Sequence, residues 1–548
     1  MVQCYNCGPT DRDQRWQRFL PGMQMIRFKE HKWRYALAAC CGLLLTGAFP
    51  KFGFHWLAWF ALVPLLMAIR GQGVKLSFQI GFAAGLVHFL TLVYWIAYTM
   101  RTYGYLPWPV CLSVLVLLSA VLALYVALFS AAVASLNLRP AAGILVIPLV
   151  WVAAEYLRAI LFTGFPWELL GTSQYRNLHI IQISDIFGVY GVSALIALVN
   201  TVIAFLIPYR IGKREREKFA GTKFAAASIG TAALLLALTW AYGEWRMRTV
   251  DRLSESAPSV LAAVVQGNIE QSVKWNPNFQ VATVDKYLRL SNEVISRHPE
   301  IVVWPETALP FYFGHNKPLT ERVSRGLQKM QTDFLFGSPA FSRRPGKVDY
   351  YNSAFMTDAN GRVMGKYSKA HLVPFGEYVP LKRWLPFLGK MVAQVGDFTA
   401  GRVGETIAWR KHRLGVLICY EAIFPYISRA VVNGGANLLV NITNDAWYGF
   451  TAAPYQLFSI TVFRAIENRR ALVRAANTGI SGFIDPVGRI LSKTDLFTED
   501  AETMKVPLLT GRTFYTRFGD SFARFGLALA LVLVGVKTSA SLRRRRGR

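Results

Sequence analysis

At 548 residues the chain exceeds one ordinary domain, and with 53% apolar against 17% charged residues it is too oily for a soluble protein of that size. Its net charge of +29 would suit a nucleic-acid partner, yet Lys and Arg gather at the ends of apolar runs with no basic-and-aromatic RNA motif. The charge therefore points to membrane topology, and a nucleic-acid partner is excluded.

Residues 1–34 form a basic tail (Arg12, Arg15, Arg18, Arg27, Lys29, Lys32, Arg34), expected in the cytoplasm. Its Cys4 and Cys7 make a CxxC, without the second pair that would complete a zinc site. Apolar runs follow at 35–49, 54–69, 77–99, 108–136, 141–162, 188–208 and 224–243. The first two fall short of the ~20 residues a span prefers. Arg70/Lys75, Arg139 and the cluster Arg210–Lys223 mark the second, fourth and sixth connections, whereas the first and third carry only Lys51 and Arg101. Basic loops stay inside, so seven spans over 35–243 leave residues 244–515 outside, in a bacterial periplasm. An eighth span, 516–538, returns the chain to a basic cytoplasmic tail, 539–548. The fold class expected is thus a polytopic α-helical membrane protein of about eight spans with an inserted α/β domain.

Within 258–508 the pattern changes in kind. Strand-like runs occur at Val260–Val265, Ile301–Trp304, Phe334–Gly337, Leu414–Ile418 and Asn437–Asn441. Hairpins are predicted around the turns Asp358–Gly361 and Asp485–Gly488, and helices over Val281–Arg297 and Tyr455–Ala471.

Three polar groups sit directly after such strands, where α/β sites gather: Glu306, Lys369 and Cys419. Leu414–Ile418 delivers Cys419 to a break, and Pro425 suits the first turn of a following helix. A thiol facing that helix's positive end is expected to have a lowered pKa and to act as a nucleophile. The competing reading is a buried structural cysteine.

The Glu/Lys/Cys set resembles that of the carbon–nitrogen hydrolase (nitrilase) superfamily. The segments Phe165–Leu170, Val265–Ile269, Trp304–Glu306, His371–Tyr378 and Cys419–Glu421, with the spans on either side, resemble its membrane-embedded branch, the bacterial apolipoprotein N-acyltransferases. The likeness runs from about residue 35 to the end; the first thirty residues, with their CxxC, have no counterpart. The resemblance implies an α-β-β-α sandwich facing the periplasm. It implies transfer of an acyl chain, typically the sn-1 chain of phosphatidylethanolamine, to the α-amine of a lipoprotein's diacylglyceryl-cysteine. It implies Cys419 as nucleophile, Glu306 as general base and Lys369 as third member, with Glu377, Tyr420 and Glu421 around them and Trp275 in the substrate region. No cofactor is expected, and the protein is expected to be a monomer.

Glu377 and Glu421 have a second reading, as counter-charges to Lys369 and nearby arginines. Tyr378–Phe398 is too greasy and too basic for an ordinary loop. Trp384, Phe387, Leu388 and Met391 are predicted to dip into the lipid interface, with Lys382, Arg383 and Lys390 on phosphates, and Tyr378, Trp384, Phe387 and Trp447 are expected, with Trp275, to contact substrate. Phe311–Phe313 would line the same opening; alternatively these aromatics pack on the domain. Asn444, Asp445 and Trp447 follow a strand and are expected at the pocket floor or in the fold itself. His88 and Glu155, in apolar runs, must face protein or water, and Glu155 is expected to pair with Arg158. A membrane-tethered amidase or hydrolase would use the same three residues, but one span would suffice to tether it.

Overall fold

Apolar stretches with almost no charge must satisfy their backbone internally, and here they do so as helices. The computed structural model describes residues 32–207, 222–378 and 397–546. Among these, six helices are long and apolar enough to cross a membrane: Val74–Leu92, Trp108–Leu136, Pro140–Ile160, Val189–Leu206, Lys223–Ser256 and Ser521–Ala540. The first two apolar runs give a 16-residue helix, Lys32–Gly47, and a broken stretch, His55–Ile69. At ~1.5 Å per residue, 16 residues fall short of a ~30 Å hydrocarbon core. The Thr222–Ser256 helix continues without a break from the apolar stretch into the start of the α/β part.

Small residues set the closest helix contact. A Cβ on Gly81 would lie 2.3 Å from Ser130 Oγ, and one on Gly85 would lie 2.8 Å from Ala123 Cα, so Val74–Leu92 and Trp108–Leu136 approach through a Gly-x-x-x-Gly face. Glu155 and Arg158 do not pair as expected. Arg158 donates to the carbonyls of Phe165 (3.1 Å), Trp167 (2.7 Å) and Glu168 (3.3 Å), while Glu155 accepts from Leu170 N (2.6 Å). The reason is local: the chain turns back at 161–170 and its unbonded backbone groups would otherwise be buried alone. A cavity of about 30 Å³ beside them, lined also by His88 and Glu168, has room for water.

The α/β part holds twelve strands. They are β1 Ser259–Gln266, β2 Ile301–Val303, β3 Asp333–Arg344, β4 Lys347–Thr357, β5 Val363–Ser368, β6 Ile407–Trp409, β7 His412–Ile418, β8 Leu438–Thr443, β9 Leu472–Ala476, β10 Gly482–Ile484, β11 Ile490–Lys493 and β12 Asp500–Pro507. Two six-stranded sheets result, ordered β12-β1-β2-β3-β4-β5 and β11-β10-β9-β8-β7-β6. Their centres, β1-β2-β3 and β7-β8-β9, are parallel. Alternation along β1 fixes the layers: Ala262 and Val264 join the core shared with the second sheet, Ala263 and Val265 the one under helices Pro277–Ile295 and Lys317–Met330. Helices Pro425–Asn433 and Ala453–Asn468 pack against the second sheet, which completes α-β-β-α. Both expected hairpins are present, joining β4 to β5 and β10 to β11.

This sandwich is seated on the helices by buried polar bonds. Gln456 accepts from Trp167 Nε1 (2.8 Å) and donates to the carbonyls of Pro50 (3.1 Å) and Leu92 (3.3 Å). Arg469 reaches Asp185 at 2.9 Å. Gly449, at φ +55°, lies so close to Tyr98 that a Cβ would come within 2.4 Å of its hydroxyl. Replacing Gln456 by the similarly sized Leu should orphan the Trp167 N–H and two carbonyls and destabilise the protein by about 2–4 kcal/mol. Thermal melting in detergent measures this; an unchanged melting temperature would place the seam's strength elsewhere.

Candidate active site

β7 ends at Ile418, and Cys419 leaves it with φ +52°, a left-handed conformation that a side chain adopts only when its surroundings compel it. Glu421 supplies the compulsion. One of its oxygens accepts from Ile418 N (2.7 Å); the other accepts from Ala370 N (2.6 Å), His371 N (3.1 Å) and Tyr367 OH (2.9 Å). One carboxylate thus ties the cysteine turn to the end of β5 across the two sheets. Glu421 thus braces the main chain on both sides of the site.

Glu306 leaves β2 through Trp304 and Pro305. Its Oε1 accepts from Asn352 Nδ2 (2.7 Å) and its Oε2 from the backbone N of Asn444 (2.9 Å). Lys369, just past β5, holds Glu377 at 2.9 Å and Glu306 at 3.7 Å. Asn352 also donates to Glu377 (2.9 Å), so one amide orients both carboxylates. Glu377 thus pairs with Lys369 and shares the Asn352 amide with Glu306. Below, Asp445 forms a fully buried ion pair with Arg474 at 2.8 Å and accepts from Thr443 Oγ1 at 2.7 Å. That pair anchors the turn carrying Asn444.

Burial alone would lower the Lys369 pKa, but Glu377 and Glu306 together outweigh it, and the ammonium stays charged. Cys419 behaves opposite to expectation. Burial pushes its thiol up, the charge of Glu306 adds to that, and Lys369 pulls back without cancelling either. The helix Pro425–Asn433 gives little help because a 3₁₀ turn, Cys419–Ile423, stands between it and the sulfur. The resting group is a thiol, so a base must take its proton at the moment of reaction. Burial also raises Glu421, to about 7, against its backbone donors and Lys369.

Among the expected substrate residues, Trp275 is half-exposed and lines a groove of about 560 Å³ with Pro310, Phe311 and Tyr312. Phe313 does not reach it and packs in the core against Phe336 and Phe355. Tyr378 is partly buried. Trp384 and Phe387, with Lys382, Arg383, Leu388, Lys390 and Met391, lie outside the described residues. Trp447 is partly exposed at the seam, its carbonyl accepting from Thr99 (2.9 Å) and its ring edge-on to Tyr103 at 5.2 Å. The buried Tyr420 ring meets Phe424 edge-on at 5.1 Å. Asn352 and Lys274 were not foreseen. Asn352 has a signal of sorts, a polar residue amid the buried end of β4, but Lys274 lies in an aperiodic stretch that gives no hint of burial.

A buried thiol, a carboxylate and an ammonium on the loops of an α-β-β-α sandwich, itself seated on apolar helices, define a hydrolase-like site on a multi-pass membrane protein. Two family models match: residues 41–202 the apolipoprotein N-acyltransferase N-terminal domain, and residues 261–513 carbon-nitrogen hydrolase. An apolipoprotein N-acyltransferase of Geobacter metallireducens is 44% identical over 503 residues, covering 92% of this chain and 95% of that one. One of Brucella melitensis is 33% identical, covering 84% and 87%. A solved carbon-nitrogen hydrolase from Helicobacter pylori aligns at 20% identity over 46% of this chain and 89% of that one, with a TM-score of 0.36. The chain belongs to the apolipoprotein N-acyltransferase family.

Because the thiol is held protonated, a Cys419→Ser difference spectrum should show no thiolate absorbance between pH 6 and about 9, the ordinary thiol range. Thiolate absorbance at pH 7 would contradict the electrostatics above. Gly337 of β3 packs beneath Glu306: a Cβ there would lie 2.3 Å from Thr307 N and 2.6 Å from Glu306 Cα. Gly337→Ala should displace Glu306 and slow acylation of Cys419 by about a hundredfold, read as single-turnover adduct formation.

Proposed function

We propose that this protein transfers an acyl chain from a phospholipid to the α-amine of an apolipoprotein's diacylglyceryl-cysteine through a thioester on Cys419. The observation that carries the reading is a buried thiol near Glu306 and Lys369, in a domain docked on apolar helices. Both substrates are lipids, and such a seat brings their chains to the sulfur. The proposed topology has eight spans, the two short leading helices included, with the domain in the periplasm and the basic termini in the cytoplasm.

In the first half-reaction Glu306 takes the thiol proton as the sulfur attacks the ester carbonyl. Lys369, and the backbone N–H of Tyr420, face the oxyanion, an interaction class worth about 3 kcal/mol per donor. Collapse expels the lysophospholipid alkoxide, which takes the proton from Glu306. In the second half the lipoprotein amine attacks the thioester; its proton passes to Glu306 and then to the leaving sulfur. An α-amine of pKa ~8 is partly neutral beforehand and needs little help. Glu377 keeps Lys369 oriented, and Glu421 holds the cysteine turn. Trp275, Tyr378, Trp384, Phe387 and Trp447 are assigned to substrate contact. The protein is taken to act as a monomer.

A tethered hydrolase would use the same groups with water as acceptor. The buried sulfur, with little access for water, favours the transferase.

Incubation with phosphatidylethanolamine alone should add one acyl chain to Cys419 by mass spectrometry. A diacylated lipopeptide should then discharge it and gain that chain on its amine. Cys419→Ala should abolish the adduct, and Glu306→Gln should slow its formation by at least about a hundredfold. Free fatty acid as the sole product would favour the hydrolase, and turnover with no adduct would remove the thioester.

A further inference from the structure

The acyl-transfer scheme leaves one charged group of the chamber unused. Lys274 is 1% exposed, yet among the described residues no carboxylate bonds it. Its one hydrogen bond runs to the main-chain oxygen of Glu306, at 3.3 Å. Six other buried cations are better held. Lys369, Arg464, Arg469 and Arg474 each have a carboxylate at 2.9 Å or closer. Arg158 and Arg470, which lack one, bond three carbonyls or more. An ammonium carries three donors, and leaving two of them idle in a buried place is costly. Such an arrangement is maintained where the charge itself acts on something nearby.

What lies nearby is the pair that exchanges a proton. The titratable groups acting on Lys274 are Glu306, on the loop after β2, and Cys419, on the turn after β7. Beyond them stand Lys369, 3.7 Å from Glu306, and Asp445 and Tyr448, both coupled to the sulfur.

The geometry points to Lys274 as a positioning residue for formation of the acyl-enzyme: its ammonium braces the main chain of Glu306 and steadies the negative charge as it passes from that carboxylate to the sulfur. This inference rests on the Cys419 thioester. In the step concerned the S–H bond breaks and an O–H bond forms on Glu306; the sulfur's electron pair forms the S–C bond, the carbonyl π bond opens, and the negative charge comes to rest on the carbonyl oxygen. Lys369 faces the oxyanion that follows; Lys274 acts one event earlier. Burial draws the Lys274 pKa down to about 8, with Glu306 and Cys419 opposing. Below that value the cation is present, and as pH rises through it the help is lost.

The test uses full-length protein in detergent, phosphatidylethanolamine as acyl donor, and the rate of thioester formation by rapid-quench mass spectrometry from pH 6 to about 9.5. The parent rate should fall as pH rises through about 8. Lys274→Met should be about tenfold slower at pH 7 and lose that fall. Lys274→Arg, whose guanidinium keeps its charge, should recover most of the rate and stay level to the alkaline end. Melting temperatures of both variants separate a folding defect from the effect, since a purely structural lysine changes melting without moving the pH profile. A Lys274→Met profile that overlays the parent's, or an alkaline fall preserved in Lys274→Arg, would overturn the inference. A parent that forms no thioester would overturn the acyl-enzyme reading before any variant is made, and this inference with it.

Discussion

The site depends on one buried ammonium between two carboxylates. Lys369 sits 2.9 Å from Glu377 and 3.7 Å from Glu306, and all three are nearly excluded from solvent. Two carboxylates this close, without the cation, would repel each other. With it, Glu377 satisfies the lysine, and Glu306 is held by Asn352 Nδ2 and the backbone N–H of Asn444. Removing one member of such a group leaves the others buried and uncompensated, and loss of stability accompanies loss of chemistry. Asn352 adds direction to charge, since a single amide fixes the facing oxygens of both acids.

The same logic recurs outward. Glu421 braces the cysteine turn through three backbone N–H groups and a tyrosine hydroxyl, and Asp445 with Arg474 braces the Asn444 turn whose N–H meets Glu306. Farther out, Gln456 and Arg469 fasten the second sheet's helix to the backbone and side chains of the helical part. Irregular backbone in a membrane-seated protein needs internal partners. The 161–187 segment obtains them from Glu155, Arg158 and the catalytic domain together. Chemistry and seating are thereby mechanically continuous.

Sequence reasoning read this architecture where local chemistry dictates it. β1, β2, β7 and β8 are buried on both faces, so they stand out as apolar runs bounded by breaks. The helix expected over Val281–Arg297 is present but starts earlier, at Pro277, after an Asn276 cap that bonds Asn278 N, a signal in the sequence as Asn-Pro that the apolar periodicity alone passes over. By contrast β9 escaped, because Arg474 at its centre reads as a surface residue until Asp445, far along the chain, is seen to neutralise it. The predicted helix to Ala471 ran over its true end for a similar reason: Arg469, at φ +49°, turns the chain so that its guanidinium can reach Asp185 in the helical part. Glu306, Lys369 and Cys419 were legible as a set because each follows a strand; Lys274 was not, because burial is a property of the fold.

The thiol of Cys419 is where local rules misled most instructively. A cysteine between strand and helix suggests a lowered pKa, but that rule presumes the sulfur sees the helix end and little else. Here burial comes first and the charge of Glu306 second, and Lys369 only partly offsets them. A protonated resting thiol is the consequence, and it is consistent with a site that must exclude water. A thiolate there would meet the charge of Glu306 at close quarters, and Lys369, already paired with Glu377, offsets only part of it. A neutral thiol avoids that repulsion and leaves the buried charges balanced, one ammonium between two carboxylates.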